Sequence, residues 1–189
     1  MPNFFSAFSS DVFRPLATLL IPGAIGVTTW FVALLWRFPS LRSLVSGNHT
    51  ETGFALFLAM VFAGMVFEDF GARWEVVLDR WADRRTSGKH TANWNAYLQI
   101  AFKSDPIGRR YARALVMRLK FELGIVFAMI SAGLGLIWLA VLGLNCLGVL
   151  CLAILLLSFA AWGLVEASAT HKVLSQTREA LLGSIRVVE

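Results

Sequence analysis

The residues best suited to chemistry in this chain are acidic, and they come from three separate apolar stretches. Glu68 with Asp69, Glu122 and Glu166 each stand near one end of a run long enough to cross a bilayer. Counted by helical rise, all of them fall close to the same boundary of the hydrocarbon. Ionisable groups at that depth are costly and normally face a bundle interior or a wet cavity, so they are candidates for proton, cation or metal handling. His171, just over a turn beyond Glu166, adds a group able to titrate or to ligate. The competing expectation is structural. Asp69 has Arg73 four residues on, Glu122 has Arg118 four residues back, and Lys120 is placed to meet Glu68 or Glu166.

A second group reads as a contact surface. The stretch GMVFEDFGARWEVVLDRWADRR, residues 64–85, begins as membrane helix and ends too charged to sit in lipid. At 100° per residue its faces separate. Glu68, Glu75, Asp79 and Asp83 line one side, Phe70, Trp74, Val77, Leu78 and Trp81 a second, and Arg73, Arg80 and Arg84 a third. Arg109 and Arg113 form a basic stripe on a later helix running the other way, able to pair with the acidic stripe or with another subunit. Trp74, Trp81 and Trp94 are expected to form the core of a small cap, or else to anchor a partner as interface hot spots. Together Trp74, Asp79, Trp81, Asp83, Trp94, Arg109 and Arg113 are the candidate partner interface.

Four apolar runs must position these groups. The first, 15–36, contains Pro22, expected to kink it, and Gly23 and Gly26, which allow a neighbour to approach. A loop of about fifteen residues follows it, rich in turn formers. The second run, 52–70, carries on into the charged rod. After TSGKHT, expected as a hinge, ANWNAYLQIAFK puts Trp94, Tyr97, Leu98 and Ala101 on one face of a short amphipathic helix. Ser104 or Asp105 is expected to cap the next helix, with Pro106 in its first turn. That helix enters the membrane near Leu119 and reaches about Leu144, and a turn of a few residues returns the chain through 147–165. The expected units are an interfacial segment 1–14, a pair of spans in 15–70, a cytoplasmic helical cap 71–118, a hairpin of spans 119–165 and a cytoplasmic C-terminal helix 166–189.

Composition agrees with that layout. Of 189 residues 57% are hydrophobic and 15% charged, against about a quarter charged in soluble domains. The net charge of +5 fits cytoplasmic loops and anionic lipid better than nucleic acid. Fifteen basic residues (Arg14, eleven from Arg73 to Lys120, and Lys172, Arg178 and Arg186) fall on the side that holds both termini, against Arg37 and Arg42 opposite. The asymmetry places both termini in the cytoplasm, across a membrane expected to be a bacterial inner membrane. The N-terminus lacks the basic region and cleavage site of a signal peptide, so the first apolar run is expected to be retained. Cys146 and Cys151 alone imply no disulfide framework.

No G-x-S-x-G, HExxH, P-loop or CxxC pattern occurs, so an enzyme is not expected, nor a cofactor or bound metal. In size and layout alone the chain resembles the small four-span subunits of bacterial multi-component membrane systems, including those of anti-phage defence operons. The fold expected is all-α and integral to the membrane, with the second, third and fourth transmembrane helices extended into a cytoplasmic bundle. The function expected is a non-enzymatic, homo-oligomeric scaffold, sensor or pore-type subunit that engages a cytoplasmic protein. The alternative is a small ion or proton transporter using the inner-edge acids.

Overall fold

The computed structural model describes residues 13–86, 89–98, 107–144 and 146–186. They form six helices: α1 Phe13–Arg37, α2 Pro39–Gly47, α3 His49–Thr86, α4 Lys89–Leu98, α5 Ile107–Val141 and α6 Cys146–Arg186. Among the described residues there is no strand. Helices α1, α3, α5 and α6 are long and apolar enough to cross a membrane. The proposed cap at Ser104–Pro106 and residues 1–12 of the interfacial segment lie outside the described residues.

The scaffold is the antiparallel hairpin of α5 and α6. Gly143 closes it at φ +87°, a left-handed conformation that glycine adopts without strain. The Gly143 N–H donates to Ala140 O at 3.0 Å and the Leu144 N–H to Leu139 O at 3.3 Å, the paired bonds of a Schellman ending. The turn therefore comes slightly earlier than the sequence suggests, with α5 ending at Val141. One core cluster joins the charged halves of the hairpin through Ala112, Leu115, Leu119, Leu123, Ala167 and Leu174. A second, of Ala33, Leu136, Leu139 and Ala153, brings α1 onto the opposite end. Ala128, Ala132, Ala160 and Ala167 are all buried, so small side chains hold the helices close along the seam.

Helix α1 crosses α3 at a point with no side chain between the backbones. A Cβ at Gly64 would stand 2.0 Å from Leu19 O, and one at Gly23 would stand 1.8 Å from Met60 O. Trp30 ties α1 to α5 by donating from Nε1 to Ser131 O and Oγ, both at 3.1 Å. Pro22 lies inside α1, which stays one helix through it.

Two local expectations change. The fifteen-residue loop contains α2, a nine-residue helix whose first turn holds Pro39. Its turn formers hide the spacing Leu41, Leu44, Val45, which turns one face toward Trp30, Thr52 and Leu56 around an apolar cleft. The hinge after Arg85 is also shorter than expected, because α4 already begins at Lys89. Asp83 explains that early start. Its Oδ1 accepts from the Thr91 N–H at 2.9 Å and its Oδ2 from the Thr91 hydroxyl, so a carboxylate on α3 satisfies the first turn of α4.

Candidate functional site

On α3, Glu75, Asp79 and Asp83 follow at intervals of four and so share one face. That face meets α4, which carries His90, and the far part of α6, which carries His171, Ser175 and Arg178. The three helices converge on Asp79. His90 Nε2 lies 2.9 Å from Asp79 Oδ1, and His171 Nε2 lies 2.8 Å from the same oxygen. Behind the first ring, His90 Nδ1 is 3.1 Å from Ser175 Oγ. The two rings stand 5.2 Å apart, 36° from parallel. Both histidines are buried, 5% and 6% exposed, while the Asp79 side chain keeps 40% of its surface.

The electrostatics follow from that arrangement. Burial alone would raise the Asp79 carboxyl, but hydrogen bonds from His171 and His90, with their charges, outweigh it and hold the group below its ordinary value. Arg178 is buried two turns beyond His171 on α6, and desolvation pulls its guanidinium down from its usual value although Asp79 and Glu75 favour the charge. It lies 3.8 Å over the ring of Trp94, which stacks in turn on Tyr97 at 5.8 Å. Asn93 Nδ2 donates to Glu179 Oε1 at 3.2 Å, a further tie between α4 and α6.

The inner-edge acids are arranged differently. Arg118 bridges two of them, with Nε 2.6 Å from Glu122 Oε1 and Nη2 2.8 Å from Glu166 Oε1. These three residues line one crevice of about 290 Å³ with Trp162 and Phe159. Glu68 and Lys120 line a separate crevice and approach to 3.9 Å. Asp69 pairs with Arg73 at 2.9 Å. Each acid thus has a basic neighbour, and His171, grouped with them by its place in the sequence, turns to Asp79 instead. Because Arg118 keeps Glu166 when Glu122 is neutralised, Glu122→Gln alone should lower detergent-phase thermal stability only slightly. Adding Glu166→Gln should lower it by clearly more than the two single changes combined, since only then is Arg118 left without a carboxylate counter-charge.

No family model, no curated protein and no solved structure matches this chain.

The chemistry must therefore be read from the residues themselves. Of the expected partner surface, Asp79 and Asp83 are engaged within the protein, between α3, α4 and α6, by the histidines and by Thr91. Trp94 is half-buried beneath Arg178. Trp74 and Trp81 do not enter a core. Trp74 meets Phe127 edge-on at 6.4 Å, and Trp81 carries the Arg85 guanidinium 4.1 Å above its ring while remaining 56% exposed. Arg113 is exposed on α5, and the Arg109 side chain lies outside the described residues. His90 is the residue that sequence reasoning did not single out. Its available signal was slight: two of the chain's three histidines stand on helices adjoining an acidic stripe.

Proposed function

We propose that the chain is a non-enzymatic integral membrane subunit, homo-oligomeric, that serves as a scaffold or sensor and engages a cytoplasmic protein through its helical cap. Its apolar halves span a bacterial inner membrane with both termini in the cytoplasm, in keeping with the distribution of basic residues.

One observation carries the proposal. The charged half of α3 exposes a continuous apolar strip, Phe70, Trp74, Val77 and Trp81, at 46%, 37%, 45% and 56%. Further back on α3, Phe54, Phe57 and Phe62 are as open, but there lipid is the natural neighbour. Past Arg73 the same helix carries Glu75, Asp79, Arg80 and Asp83, a composition suited to water. Aromatic side chains left bare among charges are the composition of an interface centre rather than of a solvated face. The pairing of every inner-edge acid with a base favours a scaffold over a conducting pathway.

Trp81→Ala tests this, because the side chain supports no buried cluster. The variant should keep the thermal stability and the oligomer mass of the wild type in detergent while losing the co-purifying cytoplasmic protein. A partner retained at full stoichiometry by Trp81→Ala would refute the α3 strip as its docking face.

A further inference from the structure

We propose that Asp79, His90 and His171 form a binding site for a divalent transition-metal ion, with zinc the natural occupant, which clamps α4 onto α3 and α6. The site goes beyond the scaffold proposal and stands or falls independently of any partner.

The donor set is the first argument. Two imidazole Nε2 atoms and one carboxylate oxygen, each from a different helix, lie within 4.8 Å of one another. Imidazole with a single carboxylate suits zinc and its first-row neighbours, whereas calcium and magnesium require oxygen ligands throughout. Geometry is the second. Bonds of about 2.0–2.1 Å in a tetrahedral site separate neighbouring donors by about 3.3 Å. Both Nε2···Oδ1 separations, 2.9 and 2.8 Å, are shorter than that by only about half an ångström. Small side-chain rotations would admit the ion in place of the protons that now lie between ring and carboxylate.

The surroundings supply the rest. With Nε2 on the metal, the His90 proton resides on Nδ1, where Ser175 Oγ at 3.1 Å accepts it. That is the outer hydrogen bond which fixes the tautomer and aim of a metal-bound histidine. Charge is favourable too: Glu75, Asp79 and Asp83 share the face, against the buried guanidinium of Arg178. Finally, the ion would act where it has most leverage. Helix α4 has ten residues, a length that is marginal on its own in water, so a ligand drawn from α4 couples metal binding to its docking.

The test uses the full chain in detergent, stripped with a chelator and titrated with zinc chloride by calorimetry, with cobalt(II) as a spectroscopic stand-in. The wild type should take up one zinc per chain, gain thermal stability and show slowed amide exchange over Lys89–Leu98. Cobalt should give the intense visible bands of a four-coordinate site, and its magnetic resonance should show two bound imidazoles. His90→Ala and His171→Ala should each weaken zinc by about 100-fold, and Ser175→Ala by about tenfold, in the range seen for ligand-supporting residues. His49→Ala, on the exposed start of α3, should change nothing. The cobalt spectra of the wild type decide the matter even where a histidine variant does not fold. Absence of stoichiometric uptake, a cobalt spectrum without imidazole, or zinc affinity unchanged in a folded His171→Ala protein would each overturn the proposal.

Discussion

Gly64→Leu should yield little folded protein, and what survives in mild detergent should unfold far below the wild type. At this position α3 touches α1 backbone to backbone, and an added Cβ would stand 2.0 Å from Leu19 O. No rotamer relieves that overlap, because the atom struck is a carbonyl rather than the end of a side chain. The helices must separate, and in the proposed lipid setting close packing, not the hydrophobic effect, would be what holds them together. Gly23→Leu should behave alike, since its Cβ would meet Met60 O at 1.8 Å. Gly163→Leu should be milder, because the nearest obstacle is a methyl of Val126 at 2.7 Å. Gly124→Ala should be tolerated, its Cβ reaching Pro22 at an ordinary 3.6 Å. Size-exclusion profiles and thermal midpoints would rank the four. Wild-type stability in Gly64→Leu would mean that α1 and α3 do not cross there.

Leu174→Ala should destabilise the protein considerably more than Leu139→Ala, although both side chains are buried, at 1% and 2%. Leu174 belongs to the cluster in the charged half of the hairpin and Leu139 to the one at its far end. If the first lies in water and the second in lipid, deletion acts on different balances. In water, removing a buried leucine loses both its transfer from solvent and its packing, about 2–5 kcal/mol. In lipid the tails are as apolar as leucine, so only packing is lost and the cost should be about half or less. Reversible unfolding in mixed micelles would measure the pair. Equal costs would place both clusters in one medium, contrary to the proposed cap.

The long helices were legible in the sequence because their signal is local. Apolar runs of bilayer length, followed by three-faced charged segments, announce α3 and the hairpin without reference to anything else. Helix α2 was hidden because proline, serine, glycine and asparagine crowd it, and they serve a helix terminus as readily as a loop. Gly23 was recognisable as permitting close approach, but nothing in its own helix says that it meets Met60 and Gly64 of α3. The same holds for the site. Asp79 and His171 stood out for separate reasons, one as part of a stripe and the other beside the inner-edge acids. Their meeting with His90 depends on the crossing of three helices, and spacing along one helix carries no such information. Trp81 was expected in the core of the cap or else at a partner interface, and its exposure follows from the direction in which α3 presents that face.

The uninterrupted course of α3 has a mechanical consequence. A helix without a break is stiff over its length, and this one meets α1 backbone to backbone about a turn apart, Gly64 on Leu19 and Met60 on Gly23. Were α3 to tilt as one rod, that crossing would be its fulcrum, working against the ties that Glu68 makes to Lys120 and Asp79 to His90 and His171. Thr86 stands about 33 Å beyond Gly64 by helical rise, so a change in tilt of about 5° carries the tip through about 3 Å. His49, on the shorter arm about 22 Å away, swings the opposite way. In the proposed membrane setting, a tilt imposed on the His49 arm would reach the Asp83–Thr91 joint as a sideways displacement, with no rearrangement inside the rod itself.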